Sequence, residues 1–498
     1  MLQPIKKYSG LMAMAIQLLI SLATLGISFD ASALPLFARQ TGQNCVACHA
    51  GGQFPELTPY GRSFKLTGYT IGSRVAVPLS IMGVATYSKV SDTSKSDNPF
   101  GPQGDFLKNE MPILATGSAF LGGKITDNIG AFIQWTYDNY AVAKPEGGFA
   151  GHSNMDNVDI RYADRFVSPS RDLIFGVSLN NNPSVTDPWN TAAAWMQYVP
   201  VPSPSSYQFI DGAAPFPGNS SGSNVAGVST YIYLNKLVYA ELGTYRTANG
   251  VFSPLSAGLD NANTTNLQGA DNPYWRFALT HEWGAHNIMV GTSGNIAHIY
   301  DADTDISDPN NLGKIKSTGV DAQYQYILDP HTITAQLAYM RQETNYSVNT
   351  LGGATAPTTF VLADGVTPVA PVNNSDTTNT LRAKLSYVYQ ARYGGSLAYF
   401  NKTGTTNTLN QTSGYDPVGC GGTVICNASS IRVNGNLSGN PATRGMTYEA
   451  FWTPVQYVRV GVQYTAYSKF NGASDNYDGF GRNARDNNTL FLYVWGAY

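Results

Sequence analysis

The chain has 498 residues, a formal net charge of −3 and 50 glycines. Charged residues make up 13% of it, about half the usual share, whereas aromatic residues reach 12%. This composition excludes a disordered chain and a nucleic-acid-binding protein, because the first has few aromatic residues and the second has a basic surface.

The amino terminus indicates export from the cytoplasm. Two lysines precede an apolar run over residues 11–27, and residues 31–33 (Ala-Ser-Ala) offer a small-residue cleavage site. A permanent membrane anchor would need roughly 20 uninterrupted apolar residues, but this run is shorter and ends before Asp30. We therefore expect residues 1–33 to be a signal peptide.

Residues 45–49 (Cys-Val-Ala-Cys-His) have the C-x-x-C-H spacing of covalent c-type haem attachment. Two thiols at this spacing can each form a thioether to a haem vinyl group, and the imidazole that follows can bind the iron. A zinc site would need a second ligand pair, but Cys420 and Cys426 lack the usual spacing. A thioredoxin-like redox pair would need a βαβ pattern, which this sequence lacks. We predict one covalent haem c held by Cys45, Cys48 and His49.

Residues 34–74 form a small segment around this motif. Thr58 followed by Pro59 predicts the N-cap and first position of a short helix that ends at Gly68. A segment of about 40 residues with one short helix buries too little apolar surface to be stable alone. We therefore expect it to depend on a haem and on a surrounding wall.

From residue 75 onward, apolar and polar residues alternate in segments of roughly ten residues, as in transmembrane β-barrels. In residues 129–138 the odd positions are all apolar or aromatic (Ile, Ala, Ile, Trp and Tyr), whereas Gln134 and Asp138 occupy even ones. Residues 320–328 and 381–390 also alternate between apolar and polar side chains, and Gln390 is expected inside the lumen. A soluble β-sandwich also alternates, so the alternation alone does not decide between the two folds.

The lengths of the connections favour the barrel. Tight turns such as Asn235-Lys236 and Asp329-Pro330 alternate with long connections such as 181–224 and 404–442, as short periplasmic turns alternate with long extracellular loops. We predict an all-β fold: a transmembrane antiparallel β-barrel of about 16 strands over residues 75–498 in the bacterial outer membrane, its lumen plugged by the monohaem cytochrome c segment 34–74. The predicted strands are 75–90, 110–122, 127–139, 156–166, 171–180, 225–234, 237–246, 273–283, 286–298, 315–328, 331–343, 379–391, 393–403, 443–453, 456–469 and 488–498.

The residues around the haem motif carry a family resemblance. Residues 34–42 (Leu-Pro-Leu-Phe-Ala-Arg-Gln-Thr-Gly) lead into the motif. Downstream of the motif stand Phe54-Pro55, Leu57, Gly61-Arg62, Phe64-Lys65 and Gly68-Tyr69-Thr70. Over residues 34–70 the chain resembles the fused cytochrome-porin outer-membrane iron oxidases. Beyond them the resemblance is one of architecture, with residues 180–183 and 187–190 similar to the family's third long loop.

The resemblance implies a haem plug inside a porin-like barrel, which takes an electron from extracellular Fe(II) and hands it to a periplasmic carrier, either a cytochrome c or a cupredoxin. Such a protein is an Fe(II):cytochrome c-type oxidoreductase that works by outer-sphere electron transfer. Two alternatives stay open: electron uptake from a non-iron extracellular donor, and a diffusion porin whose haem segment is only a structural plug. Because one haem must serve both faces of the membrane, we expect it to lie within the lumen.

The second axial ligand of the iron is missing from the neighbourhood of the motif, since residues 50–81 contain neither His nor Met. Lumen-facing methionines on the predicted strands are Met82, Met289 and Met340, and Met111, Met196 and His152 lie in or beside long loops. Each of these is ordinarily a packing residue. We favour Met82 or Met289, which both fall in the periplasmic half, and a methionine ligand would raise the reduction potential.

Arg39, Arg62 and Lys65 are candidate partners of the haem propionates, because a guanidinium suits bidentate contact with a carboxylate. The alternative is that they are solvated charges of helix and loop. Cys420 and Cys426 lie in a predicted extracellular loop, where a disulfide fits an oxidising compartment.

The remaining clusters indicate no further site. Four aspartates imitate the start of a calcium loop, but Ile306 stands where glycine is needed. These residues, which could attract Fe(II) weakly or simply be solvated, are Asp301, Asp303, Asp305 and Asp308. His281 and His286 flank a predicted tight turn, and we expect them at the membrane interface. No catalytic triad, phosphate loop or paired-carboxylate site stands out, so hydrolytic chemistry is not expected.

Overall fold

The computed structural model describes residues 36–52, 56–92, 109–143, 149–191, 225–256, 266–301, 305–349, 373–407, 436–478 and 481–498. Outside these residues lie the predicted signal peptide, the predicted disulfide pair Cys420 and Cys426, Met196 and Asp303. The helices of the described residues are all too short or too polar to cross a lipid bilayer.

In the described part of the chain, sixteen antiparallel strands pair in chain order, and β1 pairs with β16 to close a barrel. Each of the sixteen predicted strands is confirmed, with ends shifted by a few residues. The strands are β1 (Leu79–Val90), β2 (Ile113–Lys124), β3 (Ile129–Ala143), β4 (Phe149–Ser168), β5 (Arg171–Asn180), β6 (Val225–Leu234), β7 (Val238–Thr247), β8 (Pro273–Trp283), β9 (His286–Tyr300), β10 (Leu312–Leu328), β11 (His331–Asn345), β12 (Ser375–Tyr389), β13 (Tyr393–Gly404), β14 (Thr443–Val455), β15 (Val458–Lys469) and β16 (Thr489–Ala497). Closure leaves no strand edge unpaired.

The tight turns at one end of the barrel use backbone geometry that suits hairpins. Asn235 and Lys236 both have φ of 52°, and two consecutive residues in this left-handed region match the twist of the flanking strands. Gln390 and Ala391 repeat the arrangement. The expectation that Gln390 faces the lumen is therefore wrong, because β12 ends at Tyr389 and the next residue belongs to the turn.

Side chains alternate across the barrel wall as predicted. In β10, Val320 is 56% exposed on the outside, whereas Asp321 and Gln323 are buried on the inside. In β12, Leu385 and Tyr387 are exposed in the same way. An apolar outside around a polar inside is the reverse of a soluble sandwich and is the surface that lipid requires.

Aromatic rings gather on the outer surface beside the tight turns. The Trp283 ring stacks on His281 and on His286, each at 5.3 Å between centroids, and His331 stacks on Tyr387 at 6.0 Å. Such girdles mark the membrane–water interface of transmembrane barrels. His281 is exposed on the outer face as predicted, and the interfacial position of the two histidines stays a prediction. A closed, even-stranded barrel with an apolar outer wall is the architecture of bacterial outer-membrane proteins, and that membrane is where this chain resides.

Residues 36–52 and 56–72 lie inside the barrel, and we call them the lumenal segment. Its regular elements are α1 (Leu36–Thr41), α2 (Cys45–Cys48), a 3-10 turn (Ala50–Gly52) and α3 (Pro59–Leu66). The Thr58 hydroxyl accepts a hydrogen bond from the Gly61 backbone N–H at 3.1 Å, and Pro59 fills the first helical position. Gly68 follows the helix with φ of 71°. The helix predicted from the cap, the proline and the glycine is thus confirmed.

Buried polar contacts fasten the lumenal segment to the inner wall. The Arg62 guanidinium donates to the Asn287 side chain at 2.9 Å and to Gln325 at 3.0 Å. Lys384 of β12 pairs with Glu56 at 2.7 Å, and its positive charge helps to hold the pKa of the Glu56 carboxyl below the usual range against the effect of burial. The strands therefore supply partners that so short a segment could not provide for itself.

Candidate functional site

A cavity of about 1220 Å³, counting the solvent at its mouth, lies between the lumenal segment and the barrel wall. Three residues of the C-x-x-C-H motif line it: Cys45, Cys48 and His49. The apolar and aromatic side chains of the lining include Leu36, Phe37, Phe64, Phe120, Phe132 and Trp495. A concave apolar space with a few convergent polar groups is the usual form of a cofactor site.

The local fold turns both thiols toward this cavity. α2 is a single turn, so that Cys45 and Cys48, three residues apart, lie on one helical face. Both are free cysteines, and burial raises the pKa of each thiol to about 11. A redox-active thiol pair needs a lowered thiol pKa, so this environment disfavours the thioredoxin-like alternative.

Helix α3 packs directly against the C-x-x-C-H motif. A Cβ atom at Gly61 would lie 2.2 Å from the Cys48 carbonyl oxygen, a distance that no side chain tolerates. The Thr58 backbone N–H donates to the same carbonyl at 2.9 Å, and the Thr58 hydroxyl donates to the Ala47 carbonyl at 2.5 Å. Residue 61 is therefore glycine because α3 and the C-x-x-C-H motif approach each other closely there.

Replacing Gly61 by alanine should push α3 away from the motif, because the new methyl group and the Cys48 carbonyl cannot both keep their places. We expect an added protease to cleave the lumenal segment several-fold faster, while the barrel stays folded on electrophoresis. Gly117→Ala is the matched control, since a Cβ there meets nothing within 4 Å. Equal cleavage rates for the two variants would contradict the prediction.

The barrel contributes a second wall of the cavity from β1 and β16. Ser80 and Met82 of β1 line it beside Trp495 and Ala497 of β16, and Met82 stands opposite Ala497 in the strand register. Of the two favoured methionines, the structure thus places Met82 at the cavity.

The other candidate methionine is elsewhere in the lumen. Met289 is 1% exposed and packs in an apolar cluster with Trp189 and Tyr239. Its sulfur accepts a contact from the Arg276 guanidinium at 3.8 Å. Met340 lines a separate small cavity beside Arg382. Neither residue is part of the lining that contains the motif.

Of the three basic residues predicted to contact haem propionates, one lines the cavity and two do not. Lys65 lines the cavity and is 6% exposed. Burial lowers the pKa of its ammonium group to about 8, so the side chain still carries its charge at neutral pH. Arg62 is instead held by the inner wall, and Arg39 donates to the Leu79 carbonyl. Lys65 is thus the basic candidate that faces the cavity, and a role with propionates stays a prediction for all three.

The described start of the third long connection, residues 181–191, folds into the lumen, and we call it the inward loop. It contains α4 (Pro183–Thr186), whose N-cap Asn182 accepts a hydrogen bond from Val185 N–H at 2.8 Å. Val185 and Asn190 line the cavity. Sequence reasoning missed this role, although the Asn-Pro pair at residues 182–183 is a helix-start signal that could have indicated a folded loop.

Buried charges hold the inward loop across the lumen. Asp187 of the loop lies 3.3 Å from the Arg276 guanidinium, which also pairs with Asp321 of β10 at 2.5 Å. We call Asp187, Arg276 and Asp321 the loop clasp. Gln323 donates to the Trp189 carbonyl at 3.0 Å, and the Lys65 ammonium donates to the Asp187 carbonyl at 3.0 Å. The loop is therefore bonded both to the lumenal segment and to the inner face of β8 and β10.

Comparison with known proteins gives a likeness of architecture. No protein-family model matches the chain, and no curated protein matches it. OmpF of Salmonella typhi in complex with daunomycin is similar at 12% identity and a TM-score of 0.43, over 84% of this chain and 97% of that one. The outer-membrane channel DcaP of Acinetobacter baumannii is similar at 12% identity and a TM-score of 0.40, over 84% and 96%. These scores carry no argument about function, and the barrel assignment rests on the strand pairing described above.

Proposed function

We propose that this outer-membrane barrel is an electron-transfer protein that holds one covalent haem c in its lumen, oxidises extracellular Fe(II) and passes the electrons to a periplasmic cytochrome c or cupredoxin. The observation that carries the proposal is one apolar cavity inside the barrel wall, lined together by Cys45, Cys48, His49 and Met82. These are the residue types that attach and ligate a c-type haem.

The donor set around the cavity fits that cofactor. The Cys45 and Cys48 thiols, which are both protonated at neutral pH, would each add across a vinyl group, and His49 would bind the iron. Lys65 supplies a positive charge at the cavity edge for an anionic substituent. When bound, the haem supplies a one-electron iron couple.

The remaining residues act by positioning and by excluding solvent. Outer-sphere transfer moves one electron from Fe(II), leaving Fe(III), and breaks no bond that a side chain would have to assist. The barrel wall separates the cavity from lipid, while the inward loop and its clasp lie in the lumen beside it. This arrangement supports an insulated electron path, and a diffusion pore with a continuous water-filled lumen stays the alternative.

Purified holoprotein should show reduction of the haem absorption bands when Fe(II) is added under anaerobic conditions. The protein should also give low conductance in planar bilayers, because the lumenal segment and the inward loop lie in the lumen. Large open-channel currents combined with a haem that Fe(II) does not reduce would favour the diffusion porin. Reduction by an impermeant non-iron donor, with no response to Fe(II), would favour the other alternative.

A further inference from the structure

We infer that Met82 is the second axial ligand of the haem iron, opposite His49. This inference rests on the proposed function, because it presupposes a haem attached at Cys45 and Cys48. It is carried by the position of Met82 in the cavity wall, by the residue types of the described lining, and by the fixed register of the strand that bears Met82.

His49 and Met82 approach the cavity from different parts of the barrel. Two residues after His49, Gly51 packs so closely on β11 and β12 that an added Cβ would lie 2.9 Å from Val388 and 3.3 Å from Thr332. Met82 comes from β1, which is five strands away from β12 around the closed wall. Both residues nevertheless line the same cavity, so a group bound there lies within a wall that contains both.

Two other lining side chains that carry N or O atoms have hydrogen bonds to residues around the cavity. The Lys65 ammonium donates to the Asp187 carbonyl at 3.0 Å, and the Tyr69 hydroxyl donates to the Asp159 carboxylate at 2.5 Å. A second histidine is absent from the described lining. Among the side chains described there, methionine is thus the remaining type that commonly ligates haem iron beside histidine.

Strand pairing fixes the main chain of Met82, while its long side chain can adopt several conformations. In register it stands between Ala497 of β16 and Ser118 of β2, and it packs against the cluster formed by Phe491, Tyr493 and Trp495. Three rotatable bonds and a polarisable sulfur let methionine adapt to a bound group. A thioether ligand favours the reduced iron and raises the potential, as an acceptor of electrons from Fe(II) requires.

The test compares holoprotein of full length with Met82→Leu, with Met289→Leu as the matched control in the same lumen. For Met82→Leu we expect loss of the far-red charge-transfer band of methionine-ligated ferric haem, a shift from low to high spin, and a lower reduction potential, with covalent haem retained. Met289→Leu should keep the parent spectrum. An unchanged spectrum in Met82→Leu, or the same loss in Met289→Leu alone, overturns the inference.

Met82→His provides a second test, which is needed if Met82→Leu does not fold. The imidazole should keep the iron low-spin while removing the methionine band and lowering the potential. Retention of the methionine band in this variant overturns the inference but leaves the proposed function intact. Absence of covalent haem from the parent protein, by contrast, overturns the proposed function and this inference with it.

Discussion

Replacing Cys45 and Cys48 together by alanine should abolish the covalent attachment of the proposed haem and leave the barrel folded. Both thiols line the cavity, and neither belongs to a strand of the barrel wall. Without them no thioether can form, so haem staining after denaturing electrophoresis should fall to background. The heat-dependent mobility shift of a folded barrel should persist in unheated samples, because all strand pairs are retained.

Val46→Ala is the matched control for this variant. Val46 lies between the two cysteines and is exposed, so its truncation leaves the attachment chemistry intact and should keep full staining. Haem that stays attached in the double alanine variant would contradict the assignment of the motif, whichever axial ligands the iron has.

Replacing Arg276 by methionine should free the inward loop and raise the conductance of the barrel several-fold in planar bilayers. The guanidinium is fully buried between Asp187 and Asp321, and removing one member of such a group leaves uncompensated buried charge, at a cost of about 3–5 kcal/mol. Much of that cost can be relieved locally if the loop, with Asp187, leaves the lumen, since the paired strands hold the barrel itself.

Arg165→Met is the matched control for the loop clasp. Arg165 also pairs with an aspartate, Asp172 at 2.7 Å, but the side chains are 44% and 25% exposed, in contrast to the buried clasp. Exposed pairs contribute about 0–1 kcal/mol, so conductance should stay at the parent level. Parent-level conductance in Arg276→Met as well would show that the clasp does not close the lumen.

Strand positions could be predicted from the sequence because they depend on local patterns. Alternation with a period of two assigns side chains such as Val320 and Asp321 to opposite faces, and short polar turns fix where each strand ends. The helix after the haem motif was equally local, since Thr58, Pro59 and Gly68 mark its boundaries within ten positions.

The sequence did not predict which lumen-facing residues meet, because that depends on where each strand lies around the barrel. Met82 and Met289 share the same lumenal orientation, and alternation states which face a residue occupies but not which part of the lumen it reaches. Closure brings β1 and β16 together beside the haem motif, whereas Met289 lies beside Arg276 because β8 and β9 are neighbouring strands. The loop clasp joins residues from three distant parts of the chain, and no local pattern relates Asp187 to Asp321.

The line along which the barrel closes also runs through the wall of the cavity. Ser80 and Met82 belong to the first strand, while Trp495 and Ala497 belong to the last one. This part of the cavity is therefore completed only when the two ends of the sheet meet. A group joined to Cys45 and Cys48 is enclosed by the same event that finishes the barrel. For the proposed haem, the last part of the surrounding wall would therefore form as β1 pairs with β16.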